Sequence, residues 1–318
     1  MKFLNRRQFL EQTAAIGIAG AWASAKPQAA EEQSAPIPII DTHEHLWDVK
    51  QFKLPWITKG SPLAKNYLMA DYFEATKGLN VVKSIYMEVD VDPSQQKAEA
   101  EYVIELCKRA DNPMVGAVIS GRPASDGFKK YITQFKNSAY IKGLRQVLHG
   151  AGTPAGYCLD KKFIQGIRLL GELGMSYDIC IRPEELPDAA KLVDACPNTR
   201  FILDHCGNAN VQAQDHSQWK KDIAAVAKRK HIVCKVSGIV ASAKPGAWSA
   251  DDLAPIINHV LEVFGPDRVM FGGDWPVCTL AATYKQWVEA LKSIVREREE
   301  GEQRRLFHDN ALRVYGLV

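Results

Sequence analysis

Apolar residues along this chain recur with two periods that take turns. From Ile37 onward a short run rich in β-branched residues gives way to a longer stretch with apolar positions three and four apart, and the cycle repeats. The short runs predict strands at Ile37–Asp41, Val81–Asp90, Met114–Ser120, Ile141–Leu148, Met175–Ile181, Arg200–His205, Ile232–Ser237 and Arg268–Gly272. The longer stretches predict helices such as Gln95–Ala110, Lys161–Leu173, Pro187–Cys196, Ser217–Lys228, Asp252–Phe264 and Tyr284–Glu299. In the last of these Trp287, Leu291, Ile294 and Val295 share one face. A final helix, about Gly301 to Tyr315, is expected to pack on the outside of the fold.

Strands that alternate with helices pair in parallel through right-handed crossovers. Eight such units predict closure into a single-domain (β/α)8 TIM barrel over 37–318. An open, Rossmann-like sheet is the competing architecture, and the first strand lacks the G-x-G-x-x-G turn that would favour it. With 318 residues, 46% of them hydrophobic, the chain can bury a large core without disulfides. Its net charge of +3 is scattered, with no basic stripe, which argues against nucleic acid as a partner. There are seven cysteines and no C-x-x-C pair, so no disulfide framework is inferred. Cys180 and Cys234 fall inside strand-like runs and read as buried thiols.

The first 30 residues read as an address. Lys2, Arg6 and Arg7 precede the Ala/Gly-rich run Ala14–Ala25, and Ala23-Ser24-Ala25 fits a small-x-small cleavage site. That run is shorter than the ~20 apolar residues a membrane span needs, so stable membrane insertion is not expected. Asn5-Arg6-Arg7-Gln8-Phe9-Leu10 resembles a twin-arginine signal. The expectation is a cleavable signal over 1–30, a short linker over 31–36, passage through the twin-arginine machinery, and a periplasmic or otherwise exported protein. A tail with chance basic residues is the alternative.

In a TIM barrel the reactive mouth lies at the C-terminal ends of the strands. Five predicted strand ends carry ionisable groups: Asp41 to His45, Glu88 with Asp90, Arg145 with His149, Asp204-His205, and Asp274. Buried charge is costly unless paired or metal-bound, so this convergence needs a reason. His43 and His45 stand two apart and so face one side of a strand, where both imidazoles can hold one cation such as zinc. Alone, a His-x-His is as often a surface or core pair. Here a histidine on the sixth strand and an aspartate on the eighth match it.

Asp41-Thr42-His43-Glu44-His45-Leu46-Trp47-Asp48 and Phe271-Gly272-Gly273-Asp274-Trp275-Pro276 resemble the opening and eighth-strand signatures of the amidohydrolase superfamily, in its amidohydrolase-related group of lactonases and non-oxidative decarboxylases. Gly143-Leu144-Arg145, Leu203-Asp204-His205 and Asn310-Ala311-Leu312-Arg313-Val314-Tyr315 resemble further motifs of that group, so the resemblance covers about 37–318. The Leu-Trp-Asp and Asp-Trp-Pro parts point to the lactonase branch, which acts on sugar-acid, pyrone and muconate-type lactones. The chain departs from the superfamily's two-metal pattern. Lys142 sits at the wrong end of the fourth strand, and the fifth strand, Met175 to Ile181, has no histidine. The resemblance therefore implies one metal held by His43, His45 and Asp274, or a metal-free site.

The expected reaction is hydrolysis of a small-molecule lactone. Asp274 is the candidate base that activates water. His43, His45 and His205 polarise the carbonyl, and Arg145 anchors the substrate through its planar fork. Glu88 either contacts substrate or supports Arg145. Trp47 and Trp275 either wall a sugar ring or pack the barrel rim. Structural alternatives stand beside each role: Asp274 as a helix cap, His205 as a core histidine, Arg145 as a partner of Glu88 or Asp90. The loops 51–62 and 150–160 would set the substrate. A metal-dependent decarboxylase of the same superfamily is the alternative reaction, and the missing fifth-strand histidine counts against it. A non-catalytic binding barrel would not need the ionisable strand ends, and a redox enzyme would need a cofactor motif that is not seen.

Overall fold

The structure is a computed structural model that describes residues 36–317. The expected signal over 1–30, and the 31–36 linker apart from Pro36, lie outside these residues. Eight parallel strands run in the order β1-β2-β3-β4-β5-β6-β7-β8. They are Ile39–Glu44 (β1), Val81–Met87 (β2), Met114–Ser120 (β3), Ile141–Val147 (β4), Ser176–Cys180 (β5), Arg200–Leu203 (β6), Ile232–Val236 (β7) and Val269–Phe271 (β8). The seam between β8 and β1 is closed beyond the short eighth strand. A parallel bridge joins Glu44 to Trp275, and Asp274 N donates to His43 O at 2.8 Å. This is the expected TIM barrel, nearly closed.

One helix follows each strand: Met69–Thr76 (α1), Gln96–Cys107 (α2), Phe128–Ile132 (α3), Lys161–Glu172 (α4), Leu186–Ala195 (α5), Ser217–Ala227 (α6), Ala250–Phe264 (α7) and Tyr284–Val295 (α8). The longer ones start where side chains satisfy the orphan amides. Asp160 accepts from the Lys162 and Phe163 amides at the head of α4, and Thr283 with Gln286 forms a capping box on α8. The sequence pattern did not predict α1 and α3, which at 8 and 5 residues are too short to establish a helical period.

The last helical segment departs from expectation. Glu300–Arg304 passes through a π-helical turn at Arg305–Asp309 into Asn310–Tyr315. Its Ala311, Val314 and Tyr315 do not lie on the outer wall. They pack with Ile40, Ile85, Val118, Ile202 and Met270 in the cluster that fills the barrel interior. The chain thus plugs the N-terminal end of the barrel with apolar side chains, leaving the polar chemistry to the other end. Cys180 and Cys234 are buried in β5 and β7, as expected. Among the described residues no helix is long and apolar enough to cross a membrane.

Candidate active site

A cavity of about 410 Å³ opens at the C-terminal end of the barrel, and His45, Arg145, His205 and Asp274 all line it. His43, on β1, lies just beneath and is fully buried. β1 extends further than the apolar run suggested, through Glu44, and this carries His43 to the barrel mouth. Glu44 lies between the two histidines, where the strand pleat turns it the other way; burial pushes its carboxyl up to about 8.

Asp41 fixes the seam. Its Oδ1 accepts from the amides of Gly273 (2.7 Å) and His43 (2.9 Å). Its Oδ2 accepts from the hydroxyls of Tyr72 and Tyr284, both at 2.9 Å. One carboxylate therefore ties the His-x-His strand to the loop that carries Asp274. Gly272 is required at the same seam, because a Cβ there would come within 2.7 Å of His43 Cβ and 2.9 Å of Ser237 Cβ.

His43, His45 and Asp274 form a group whose ligand atoms lie within 4.8 Å of one another. His45 Nδ1 is 2.9 Å from Met87 O, which can only accept, so the ring proton sits on Nδ1 and Nε2 is bare in the neutral ring. That Nε2 faces Asp274 Oδ1 at 3.3 Å. His43 has Asp204 Oδ1 3.5 Å from Nδ1, while its Nε2 faces Asp274 Oδ1 at 3.6 Å and receives a hydrogen bond from Arg145 at 3.2 Å. Burial above all holds His43 well below the ordinary histidine value, so its ring is neutral. Two imidazole Nε2 atoms thus converge on a carboxylate oxygen. The set suits a divalent metal held by two nitrogens and one oxygen, an ion that would take the His43 lone pair which Arg145 now meets. The carbonyl and carboxylate behind the rings are the outer partners such ligands use.

A second triad, His43, Asp204 and His205, is equally close-set. Its Asp204 is already spoken for. Arg145 Nη1 donates to Oδ2 at 3.2 Å, and Lys235 Nζ stands 3.3 Å from Oδ1 as an ionic contact without hydrogen-bond geometry. Despite burial, the Lys235 charge, then His43 and His205, hold the Asp204 carboxyl well below its usual value, and the two cations in contact disfavour a metal there.

The barrel floor holds residues the sequence did not flag. Lys235 on β7 and Asp178 on β5 are fully buried and paired at 2.7 Å. The signal was present: each is a charged residue in the middle of an apolar run, which a barrel tolerates only when the charge has a partner inside. Asp178 stands on the fifth strand, where a histidine was sought and not found.

The remaining expected site residues separate into two groups. His205 sits on the turn after β6 in left-handed backbone, φ 54°. Its Nδ1 is held at 3.0 Å by the Ser237 hydroxyl, leaving Nε2 without a protein partner among the described residues. Gly238 packs against the ring, since a Cβ there would lie 2.1 Å from Nδ1. Trp47 lines the cavity with its indole N–H on Lys65 O at 2.8 Å. Glu88 and Trp275 do not line it. Glu88 is fully buried and binds Arg145 Nε at 2.6 Å and the Ser120 hydroxyl at 2.7 Å, so it braces Arg145 rather than reaching substrate. Trp275 is buried with its ring against Tyr67 and Tyr72, so the rim-packing alternative describes it. Arg145, read as a substrate anchor or as a partner of Glu88 or Asp90, lines the cavity and is held by Glu88, Asp204 and His43. Trp56 and His149, from or beside the two loops expected to set the substrate, line the cavity.

A TIM barrel with a His-x-His on its first strand, a histidine after the sixth and an aspartate after the eighth defines a hydrolase of the metal-site type. The chain belongs to the amidohydrolase family, which it matches over residues 40–317. It is 26% identical to the L-fucono-1,5-lactonase of Burkholderia multivorans, over 87% of this chain and 96% of that one. It is 21% identical to the L-rhamnono-gamma-lactonase of Scheffersomyces stipitis, over 88% and 98%. An amidohydrolase from Burkholderia multivorans, crystallised with bound zinc, superimposes with a TM-score of 0.79 at 25% identity, over 88% of this chain and all of that one.

Proposed function

We propose that the protein hydrolyses a sugar-acid or related lactone, with Asp274 as the base that activates water. The observation that carries this reading is the convergence of His43 Nε2, His45 Nε2 and Asp274 Oδ1 at the floor of the cavity, with His205 beside them. The lactonase names of the two relatives and the zinc in the solved amidohydrolase support it. When bound, a divalent cation at His43, His45 and Asp274 would polarise the lactone carbonyl and make water more acidic.

The chain's own groups supply the rest. Asp274 accepts the proton of the attacking water as its oxygen bonds to the carbonyl carbon. His205 Nδ1 lies 3.0 Å from the Ser237 hydroxyl; in the tautomer in which that hydroxyl donates to Nδ1, the ring proton is on Nε2 and can be donated to the oxyanion. The ring C–O bond then breaks, and the leaving alkoxide takes the proton back from Asp274. The product is the open hydroxy acid.

The test is turnover of a panel of aldonolactones, with and without chelation, by the wild type and Asp274→Asn. Asn tolerates the left-handed backbone at this position, φ 52°, so the variant should fold. Loss of about 10²–10⁴ in kcat is expected for the Asn variant. Absence of lactone turnover in a metal-replete wild type would overturn the reading and bring the alternative, a metal-dependent decarboxylase of the same superfamily, forward. The effect of chelation separates a metal-assisted from a metal-free reaction.

A further inference from the structure

The cavity wall has an unusual charge pattern. Among the described residues two carboxylates line it, Asp90 and Asp274, and one Lys or Arg, Arg145, whose charge is matched by Glu88 and Asp204. His149 brings no positive charge either, since partial burial, then His205 and Arg145, hold its ring below the ordinary value. Apart from the ion that His43, His45 and Asp274 would hold at the floor, a substrate carboxylate or sulfonate entering here would meet Asp90 and, among the described residues, no uncommitted Lys or Arg. A neutral ligand rich in hydroxyls would meet acceptors.

Asp90 is built to be such an acceptor. It follows β2 in left-handed backbone, φ 46°, where an aspartate is tolerated but must be held. Its amide donates to Glu88 Oε2 at 2.7 Å, and its Oδ1 accepts from Arg122 at 2.7 Å. Among the described residues no protein donor is placed on Oδ2. The neighbouring carbonyl, Val89 O, accepts the indole N–H of Trp56 at 2.7 Å. One dipeptide therefore presents a free carboxylate oxygen and pins a tryptophan beside it. Trp56 is 39% exposed, lines the cavity and meets Trp47 edge-to-face at 5.7 Å. A charged acceptor next to an open aromatic face suits a sugar ring, whose hydroxyls point outward around an apolar C–H face.

We propose that Asp90, braced by Arg122 and Glu88 and flanked by Trp56, recognises the ring hydroxyls of an uncharged, polyhydroxylated lactone, and that it excludes lactones bearing a carboxylate or sulfonate. This rests on the lactone-hydrolase reading and narrows it. Asp90 is a specificity-determining residue and takes no part in proton transfer.

The experiment compares wild type, Asp90→Asn and Asp90→Ala on three probes: a set of hexono- and 6-deoxyhexonolactones, δ-valerolactone, and 2-pyrone-4,6-dicarboxylate. The wild type should prefer a hydroxylated lactone over both others. Asp90→Asn, which fits the left-handed backbone, should lower the preference for the hydroxylated lactone over δ-valerolactone about 10- to 100-fold, the worth of a hydrogen bond to a charged group. The change should fall on KM rather than kcat, and relative activity on the dicarboxylate should rise. Equal loss on hydroxylated and bare lactones, or a wild type that turns over the dicarboxylate as well as the sugar lactones, overturns the proposal. If the wild type hydrolyses no lactone, the functional reading itself has failed. The subsite is then read by thermal shift with the same hexonolactones: stabilisation lost in Asp90→Asn upholds it, and no stabilisation of the wild type overturns it.

Discussion

Lys235→Met tests the charge arrangement under the active site. The substitution keeps the aliphatic stem and removes the ammonium. Nζ lies 2.7 Å from Asp178 Oδ2 and 3.3 Å from Asp204 Oδ1, with all three side chains fully buried. At an effective dielectric of about 20, each contact carries roughly 5–6 kcal/mol of attraction. Most of that offsets the cost of taking the ions out of water. The two carboxylates fare differently once the lysine is gone. Asp204 keeps Arg145 at 3.2 Å, whereas Asp178 keeps the Ser176 hydroxyl at 3.5 Å. Burial already pushes Asp178 up to about 6 with the lysine in place. Stranding such a group costs about 3–5 kcal/mol, which for a domain of this size lowers Tm by on the order of 6–20 °C.

The sign with pH follows. In the variant Asp178 has a folded-state pKa raised further above its unfolded value, so the folded form holds the extra proton. Its penalty is small at low pH and grows as pH rises through the folded value. Thermal melts of Lys235→Met at pH 5 and pH 8 should show the larger deficit at pH 8. Adding Asp178→Asn removes the stranded charge, and the double variant should recover at least about 2 kcal/mol relative to additivity. Additive losses, or a single-variant loss below about 1 kcal/mol at pH 8, would refute the account of Lys235 as the counter-charge of the barrel floor.

Two further perturbations probe other links. Gly238→Ala places a methyl where His205 Nδ1 now packs, at a position with φ 65°, so the ring must leave the Ser237 hydroxyl. At least a tenfold fall in kcat is expected, with activity regained in no metal-supplemented assay; unchanged turnover would remove His205 from the mechanism. Glu99 is fully buried, pushed up to about 7 by burial and then by the Glu88 charge, and its Oε1 accepts from Tyr86 OH and Val89 N. The folded state holds a proton there that the unfolded chain releases near 4.5, so stability declines between about pH 4.5 and 7 by on the order of 3 kcal/mol. Glu99→Gln should flatten that slope in urea melts, and an unchanged slope would show that Glu99 does not set it.

The sequence carried the fold because each barrel unit is local: an apolar run, a helical period and a break, eight times over. It could not carry closure, because β8 is three residues long and the seam depends on Asp41 meeting residues 31 to 243 positions away. His43, His45, His205 and Asp274 were legible because they end strands in a barrel whose mouth is known from topology. Their proximity is a result of register, and β1 had to run three residues beyond its predicted end to supply it. The sequence offered the bracing and packing positions of Arg145, Glu88 and Trp275 as alternatives and could not choose among them. An arginine's freedom to bind substrate depends on what else reaches it, and here Glu88, Asp204 and His43 all do. Lys235 and Asp178 were visible as residues and silent as a pair, since 57 positions of chain separate them.

The charge count explains why the cation belongs where the histidines converge. Four buried carboxylates lie against the histidine rings, Arg145 or Lys235, namely Glu88, Asp178, Asp204 and Asp274, while Asp41 is held at the seam by amides and tyrosine hydroxyls. Two cations, Arg145 and Lys235, stand among them, and burial keeps His43 neutral. Two negative charges remain in a low-dielectric interior, where uncompensated charge is expensive. Glu88, Asp178 and Asp204 each have an Arg or Lys in contact, and among the described residues Asp274 has none, facing the Nε2 atoms of His43 and His45 instead. A divalent ion at that point would balance the charge of this group and be met by two nitrogens and one carboxylate oxygen. One proton there would satisfy the geometry and leave one charge over. The sequence's departure from a two-metal pattern then has a physical counterpart: at the neighbouring triad of His43, Asp204 and His205, the ammonium of Lys235 and the guanidinium of Arg145 already supply the positive charge that a second ion would bring.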